Sequence, residues 1–173
     1  MNDDLGGEEL LVRPIGYLRT PFADPTGMPI QPAGAKGVRG TLEVLPEFCG
    51  GLADLEGFSR IILLYRFHRS RGYSLRVVPF LDDCERGVFA TRAPRRPNPI
   101  GLSVVRLVAI EGCRLEVEDV DVLDGTPVLD IKPYVSSFDA YPDERCGWFD
   151  DCGRDVRDAR ADRRFAGRRE EGP

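Results

Sequence analysis

The sequence predicts a mainly β protein: a small bulged β-barrel with short helices or turns and a charged C-terminal tail. Three observations carry this prediction. Short β-type segments are separated by glycine and proline turns, one of them switches its apolar alternation, and no long helical period lies between them. The last observation disfavours a doubly wound α/β fold. The length, 173 residues, is typical of one domain.

Six segments carry the apolar alternation or buried apolar runs of strands. They are 10–22, 38–45, 59–68, 75–80, 102–110 and 114–122. A further apolar strand contains Asp130 and Lys132, two residues apart. The plain interpretation of this spacing is an ion pair between the two side chains. Between the strands, 46–57 is predicted to be a short helix or turn, and 23–37 is a loop rich in proline and glycine.

The segment 114–122 contains a switch in alternation. Leu115 and Val117 share one parity, whereas Val120 and Val122 share the other. Because successive strand residues face opposite sides of a sheet, the switch requires one extra residue near 118–119. We therefore predict a β-bulge there, a feature that bends strands toward barrel closure.

The chain divides into three parts on composition. We expect residues 1–9 to be a flexible N-terminus, 10–150 to form the β-barrel domain, and 151–173 to be a charged C-terminal tail. Arginines recur about every third residue in the tail, with aspartates between them. A charged helix, a solvated or disordered tail and a docking arm for RNA phosphates all remain open, and the solvated tail is the plainest interpretation.

Charge and cysteine content exclude several classes. With 24 basic and 29 acidic residues the net charge is −5, which argues against a wholly basic nucleic-acid binder but allows a local basic groove. Neither a membrane-spanning stretch nor a signal peptide is indicated. The five cysteines are scattered without a C-x-x-C pair, and the chain has one histidine, so we expect no metal site and no shared task for the cysteines. A reducing cytoplasm fits best.

The most unusual segment combines stiffness with positive charge. Residues 92–99 contain three arginines, three prolines and an asparagine. Proline fixes φ, so little backbone entropy remains to be lost on binding. Guanidinium groups suit phosphates and stack on bases, although a rigid solvated loop fits the spacing equally well. His68 ends the strongest strand, where a lone histidine is usually a polar edge residue, and Asp124 precedes a glycine as turn formers do.

Four segments together resemble the TsaA-like family, the TrmO tRNA methyltransferases: 15–22, 58–68, 87–102 and 124–134, within a match over roughly 12–140. The resemblance implies a compact β-barrel that binds S-adenosyl-L-methionine (AdoMet) without a dinucleotide-binding fold. It also implies a homodimer whose cofactor cleft lies near the subunit interface. The implied reaction is methylation of N6 of threonylcarbamoyl-adenosine next to the tRNA anticodon.

The resemblance also assigns site residues by motif position. The implied cofactor contacts are Gln31, Pro32, Ala33, His68, Arg69, Arg92, Leu102, Asp130, Ile131, Lys132 and Pro133. We expect Arg95 and Arg96, with Arg92, to engage the anticodon loop, and no metal to be needed. The acceptor nitrogen is a poor nucleophile, so a base would help. Asp130 is preferred among the candidates, which are Asp130, Asp139, Tyr134 and His68.

Two alternatives stay open at this point. The protein could use AdoMet to methylate another RNA or a small molecule, or it could be a non-catalytic RNA-binding β-barrel. The second alternative predicts aromatic residues spread over an open strand face and no tight AdoMet binding. Calorimetry with AdoMet separates the two enzymatic interpretations from the binding module.

Overall fold

The computed structural model describes residues 10–165, which form a closed antiparallel barrel and a layer of loops. The eight strands are β1 (Gly16–Arg19), β2 (Arg39–Val44), β3 (Arg60–Arg66), β4 (Arg76–Val77), β5 (Arg86–Gly87), β6 (Ile100–Glu111), β7 (Arg114–Glu118) and β8 (Thr126–Pro133). Six of them close the barrel in the order β1-β2-β7-β6-β3-β8, and β4 pairs with β5 in a separate ribbon. The predicted fold class is confirmed.

Helices are short throughout the described residues. One four-residue α-helix, α1, covers Ser136–Asp139. The 3-10 helices are Pro32–Gly34, Pro46–Leu52, Leu55–Gly57, Val88–Ala90, Gly147–Phe149 and Arg163–Phe165. The two that follow β2 fulfil the prediction of a short helix or turn over 46–57. No helix within 10–165 is long and apolar enough to cross a membrane.

The barrel interior is filled by one face of each strand. In β3 the buried residues are Ile61, Leu63 and Tyr65, and the residues between them face outward. Leu18 of β1 and Val105 of β6 are completely buried in the same cluster. Each such aliphatic side chain contributes about 1.5–3 kcal/mol by leaving water, so the alternation read from the sequence is also the main source of stability.

The predicted extra residue lies at the end of β7. Arg39 pairs with Glu118, and the next backbone bond runs from Val120 N to Val38 O at 3.2 Å. Asp119 is therefore the extra residue, and its backbone is left-handed, with a φ of 68°. The strand itself ends at Glu118, earlier than the predicted 122. Two further register shifts, between Leu64/Tyr65 in β3 and Leu107/Ala109 in β6, were not predicted.

Two predicted strands are much shorter in the structure. Of 10–22 only Gly16–Arg19 forms a strand, because Pro14 and Pro21 flank it and proline donates no ladder hydrogen bond. Of 75–80 only Arg76–Val77 pairs, ahead of a proline at position 79.

The expectation that the cysteines share no task is wrong. Cys49 and Cys113 form a disulfide, with Cα atoms 5.2 Å apart and a sequence separation of 64. Barrel closure brings them together, because Val44 N at the end of β2 donates to Cys113 O at 2.9 Å. Sequence spacing carries no trace of this contact. The other cysteines, Cys84, Cys146 and Cys152, are free thiols.

The part of the tail that is described, 151–165, forms turns and one 3-10 helix rather than the α-helix that the charge pattern allowed. It crosses the proline-rich loop through a pair of backbone bonds, from Gly27 N to Ala161 O at 2.7 Å and from Ala161 N to Met28 O at 2.9 Å. The predicted flexible terminus, 1–9, and the tail beyond 165 lie outside the described residues.

Candidate functional site

Three loops converge at one end of the barrel, where β1, β3 and β7 end and β2, β6 and β8 begin. We call this end the rim. Arg92 Nη1 donates to Gln31 Oε1 at 2.9 Å, which joins the loop after β5 to the proline-rich loop. Arg69 Nη1 donates to Ala23 O at 2.6 Å and joins the end of β3 to the same loop. The rim therefore brings together Gln31, Arg69 and Arg92, three residues far apart in sequence.

The proline-rich loop has a fixed local shape. Pro32 occupies the first position of the 3-10 helix Pro32–Gly34, where its fixed φ suits the turn and its missing N–H is not needed. Ala35 is completely buried beneath this turn, and its N–H donates to Pro32 O at 2.9 Å. Ala33 is exposed above it. The predicted contacts Gln31, Pro32 and Ala33 thus sit on a stiff turn beside Arg92.

The loop over 91–99 is held from inside by one of its own arginines. Arg96 Nη1 donates to Thr91 O at 2.8 Å and to Val88 O at 3.2 Å. Arg95 is exposed, and its side chain forms no hydrogen bond among the described residues. The two arginines predicted to bind RNA therefore differ: Arg96 fixes the loop, and Arg95 is available to a partner.

His68 lies at the rim just beyond β3. Its Nδ1 is 3.1 Å from Thr126 Oγ1 at the start of β8. Burial lowers the pKa of His68, and the positive charges of Arg69 and Arg66 lower it further. A neutral imidazole at physiological pH is the result, with one ring nitrogen engaged by Thr126. Such a ring can accept a proton, which a charged imidazolium cannot.

A buried polar network beneath the rim was not predicted. Ser103 Oγ donates to Asp121 Oδ1 at 2.6 Å, and Tyr65 Oη lies 3.0 Å from the same hydroxyl. Burial raises the pKa of Asp121 to about 6, opposed by the hydrogen bond from Ser103 and the charge of Arg92. Burial likewise raises the pKa of Tyr65. The signal in the sequence was a single aspartate between two core valines, Val120 and Val122.

The remaining predicted contacts lie on the outer wall of the barrel. Leu64 of β3 pairs with Leu102 on one side and with Asp130 on the other, so these three residues form a row across the outer face. Asp130 Oδ2 is 2.7 Å from Lys132 Nζ, the ion pair that the alternate spacing suggested. Of the neighbouring residues, Ile131 packs against the core and Pro133 is exposed at the end of β8.

The predicted cofactor contacts thus divide into two sets. The rim group consists of Gln31, Pro32, Ala33, His68, Arg69 and Arg92. The wall group consists of Leu102, Asp130, Ile131, Lys132 and Pro133. Within one chain the rim group surrounds the loop junction, whereas the wall group runs down the outside of β6 and β8.

Two of the four candidate bases lie away from the rim. Tyr134 N donates to Arg60 O, at the opposite end of β3. Asp139 Oδ2 accepts from Val135 N at 2.7 Å, which closes the turn of α1. Asp130 and His68 remain near the predicted site. Among residues 10–165 no group of three or more potential metal ligands comes together.

The fold and the site define a class of protein: a six-stranded antiparallel barrel with a polar, arginine-bearing site built by the loops at its rim. The family model described as tRNA-methyltransferase O N-terminal domain matches residues 17–140, and the chain belongs to that family. The predicted family is confirmed.

Similar proteins extend the match beyond the family model. A probable S-adenosyl-L-methionine-binding protein of Pyrococcus abyssi is 54% identical over 153 residues, 88% of this chain and 83% of that protein. The tRNA (adenine(37)-N6)-methyltransferase of Mus musculus is 40% identical over 138 residues, 76% of this chain and 32% of its own length. A crystal structure of TrmO from Pseudomonas aeruginosa aligns with a TM-score of 0.69 at 46% identity. That alignment covers 81% of this chain and 62% of the crystallised one.

Proposed function

We propose that this protein binds AdoMet at the rim and transfers its methyl group to N6 of an adenine in tRNA, in the cytoplasm. At finer detail we propose threonylcarbamoyl-adenosine beside the anticodon as the acceptor. The observation that carries the proposal is that Arg92 and Arg69 both bond the proline-rich loop, through Gln31 and Ala23, at the rim of a barrel from this family. Relatives named as AdoMet-binding proteins and as tRNA methyltransferases support it.

The rim residues fit the chemistry of AdoMet. Its carboxylate calls for a cation, and the guanidinium groups of Arg69 and Arg92 have no carboxylate within 4 Å among the described residues. Its adenine calls for amide and backbone partners, which Gln31 and the exposed Ala33 provide on a turn fixed by Pro32. When bound, AdoMet supplies an electrophilic methyl group on a sulfonium. The chain's own task is to align the methyl donor with the acceptor nitrogen and to exclude water from between them. Such positioning lowers the activation barrier by up to about 7–11 kcal/mol.

The acceptor nitrogen must lose a proton as the new bond forms. We propose Asp130 as the base, with His68 as the alternative. Each carboxylate oxygen of Asp130 has a partner. Oδ2 forms the ion pair with Lys132, and Oδ1 accepts a hydrogen bond from Ile131 N at 2.9 Å. His68 is neutral because its pKa is lowered. If His68 accepts the proton, His68→Gln removes the acid limb of the pH–rate profile; if Asp130 does, Asp130→Asn removes it and His68→Gln leaves it.

We propose a homodimer in which the wall group of one protomer faces the rim group of the other. In support, the outer face of β6 next to the wall group is apolar and exposed, with Ile100 at 46% and Leu102 at 41%. Leu102→Glu is therefore expected to yield monomers in light scattering. Val108→Glu is the matched control, since Val108 lies on the same strand and is 40% exposed but outside the wall group. Monomers in the unchanged protein would contradict the dimer.

Two measurements test the function. Calorimetry is expected to show AdoMet binding that Arg92→Gln weakens and that Arg114→Gln, on the hairpin between β6 and β7, leaves unchanged. Mass spectrometry of tRNA nucleosides is expected to show loss of the methylated nucleoside when the gene is deleted. Absence of AdoMet binding favours a non-catalytic RNA-binding barrel, and binding with unchanged tRNA nucleosides favours another acceptor.

A further inference from the structure

Positive charge is segregated in this acidic protein. The segments 66–75 and 87–102 contain no aspartate or glutamate. Together they hold six arginines: Arg66, Arg69, Arg71, Arg92, Arg95 and Arg96. None of the ion pairs found among residues 10–165 involves either segment, whereas arginines such as Arg19, Arg60 and Arg154 elsewhere are paired with carboxylates. The positive charge of the two segments is therefore not neutralised by carboxylates among residues 10–165 and is available to an anionic partner.

The two segments form one surface. Ser70 Oγ donates to Pro94 O at 3.0 Å, and Ser74 N donates to Arg95 O at 3.2 Å. These bonds hold the turn 71–73 against the proline-stiffened loop. Arg71 and Tyr73 lie between Ser70 and Ser74, so these bonds hold their backbone against Pro94 and Arg95.

The side chains on this surface divide into committed and available ones. Arg69, Arg92 and Arg96 donate to groups of the protein itself, as described above. Arg71 and Arg95 are exposed and form no side-chain hydrogen bond among the described residues. Tyr73, two residues after Arg71, is 63% exposed. Two free guanidinium groups and an open aromatic ring thus lie on one stiff surface at the rim.

We propose that Arg71, Tyr73 and Arg95 form a docking surface for a single-stranded segment of RNA. The arginines would bind backbone phosphates, and the ring of Tyr73 would stack on an unpaired base. The inference rests on the proposed function, which brings RNA to the rim. It goes beyond that function in assigning the turn 71–73 to RNA, and in giving Arg96 the separate task of fixing the loop.

The test uses the full chain and two labelled RNAs of equal length, an anticodon stem–loop and a fully paired hairpin. Tyr73→Ala is expected to weaken stem–loop binding about tenfold or more, and Tyr73→Phe to restore it, because the ring rather than the hydroxyl stacks. Arg71→Gln is expected to reduce the slope of log K against log salt by about 0.7. Arg114→Gln is the matched control, an exposed arginine at the opposite end of the barrel.

The possible outcomes separate this inference from the proposed function. If the unchanged protein methylates tRNA but Tyr73→Ala and Arg71→Gln bind the stem–loop normally, the docking surface is wrong and the function stands. Suppose instead that the unchanged protein binds the stem–loop and that these variants bind it weakly, but that the unchanged protein neither binds AdoMet nor methylates tRNA. The docking surface then stands and the proposed function is wrong. Equal weakening by Arg114→Gln, or equal affinity for the paired hairpin, would also overturn the surface.

Discussion

The barrel wall and the loop layer at its rim are built on different principles. In the wall, backbone ladders join six strands and fully buried residues such as Leu63 and Val105 fill the interior. In the loop layer, side chains take the place of the ladder and donate to loop carbonyls. Trp148 Nε1 donates to Ala90 O at 2.7 Å, and Arg164 Nη1 donates to Pro79 O at 2.7 Å. Stability is thus concentrated in the barrel wall, whereas the rim group of the predicted site lies in the loop layer.

The loop layer also has a small core of its own. Val77, Val88 and Ala93 are buried together, and Phe165 from the C-terminal segment packs against them. Phe165 lies outside the stretch 17–140 that matches the family model. We therefore expect the packing of the loop layer to depend on a residue beyond the stretch that matches the family model. The barrel core is filled by its strands and by side chains that follow them, such as Leu52 and Val120.

The largest effect is expected from a cavity in the wall. Leu63→Ala removes a completely buried side chain, which lowers the free energy of unfolding by about 2–5 kcal/mol. Urea unfolding measures it, with Leu75→Ala as the control, since Leu75 is exposed in the loop layer. If Leu63→Ala lowers the free energy of unfolding by less than about 1 kcal/mol, the barrel interior is not the main source of stability.

The disulfide provides the next test, at the end of the barrel opposite the rim. Closing a loop of 64 residues restricts the unfolded chain, and its loss is expected to lower the free energy of unfolding by about 2–4 kcal/mol. Cys49→Ser should show this loss, and reductant should destabilise the unchanged protein but not the variant. Cys84→Ser is the control, because that thiol is free and exposed. Alkylation of five thiols in the folded, unreduced protein would show that the bond does not form.

Asp121 is buried where the barrel meets the loop layer, and its raised pKa predicts how stability changes with pH. Its pKa in the folded protein, about 6, lies above the ordinary value of 3.8. The folded state therefore binds a proton more tightly than the unfolded state, and stability falls as pH rises from about 4 to about 6. Asp121→Asn cannot ionise, so it should lack this fall and exceed the unchanged protein at pH 7 by on the order of 2 kcal/mol. Parallel pH profiles for the two proteins would show that burial does not raise the pKa of Asp121.

The same division explains what the sequence could predict. Wall residues repeat with period two, so β3 and the extra residue at Asp119 were predictable from alternation alone. Contacts in the loop layer join a side chain to a carbonyl at no fixed spacing, 5 residues away for Arg96 and 58 for Trp148, so they leave no period. The tasks of Arg96 and Trp148 were therefore missed, as was the disulfide that barrel closure creates.

The candidate site was predicted through resemblance rather than through pattern. Motif position named Gln31, Arg69 and Arg92, and in the structure Arg92 bonds Gln31 while Arg69 bonds the backbone of the same loop. The resemblance named neither Asp121 nor Thr126, although an aspartate between two core valines was a signal for Asp121. The separation of the rim group from the wall group is a property of the folded chain, since it depends on strand order and register.

The smallest effect on stability is expected in the loop layer, where a change should alter binding instead. Phe165 contacts Phe80 edge-on, with ring centroids 5.1 Å apart, and covers the small core. Phe165→Ala should lower the free energy of unfolding by less than about 1 kcal/mol, because the barrel does not use this contact. It should weaken AdoMet binding several-fold, because a site that is ordered only part of the time binds in proportion to its ordered fraction. Phe138→Ala is the control, since Phe138 is exposed on α1. A loss of stability as large as that of Leu63→Ala, with AdoMet affinity unchanged, would show that barrel and loop layer unfold as one unit and that the C-terminal segment does not order the site.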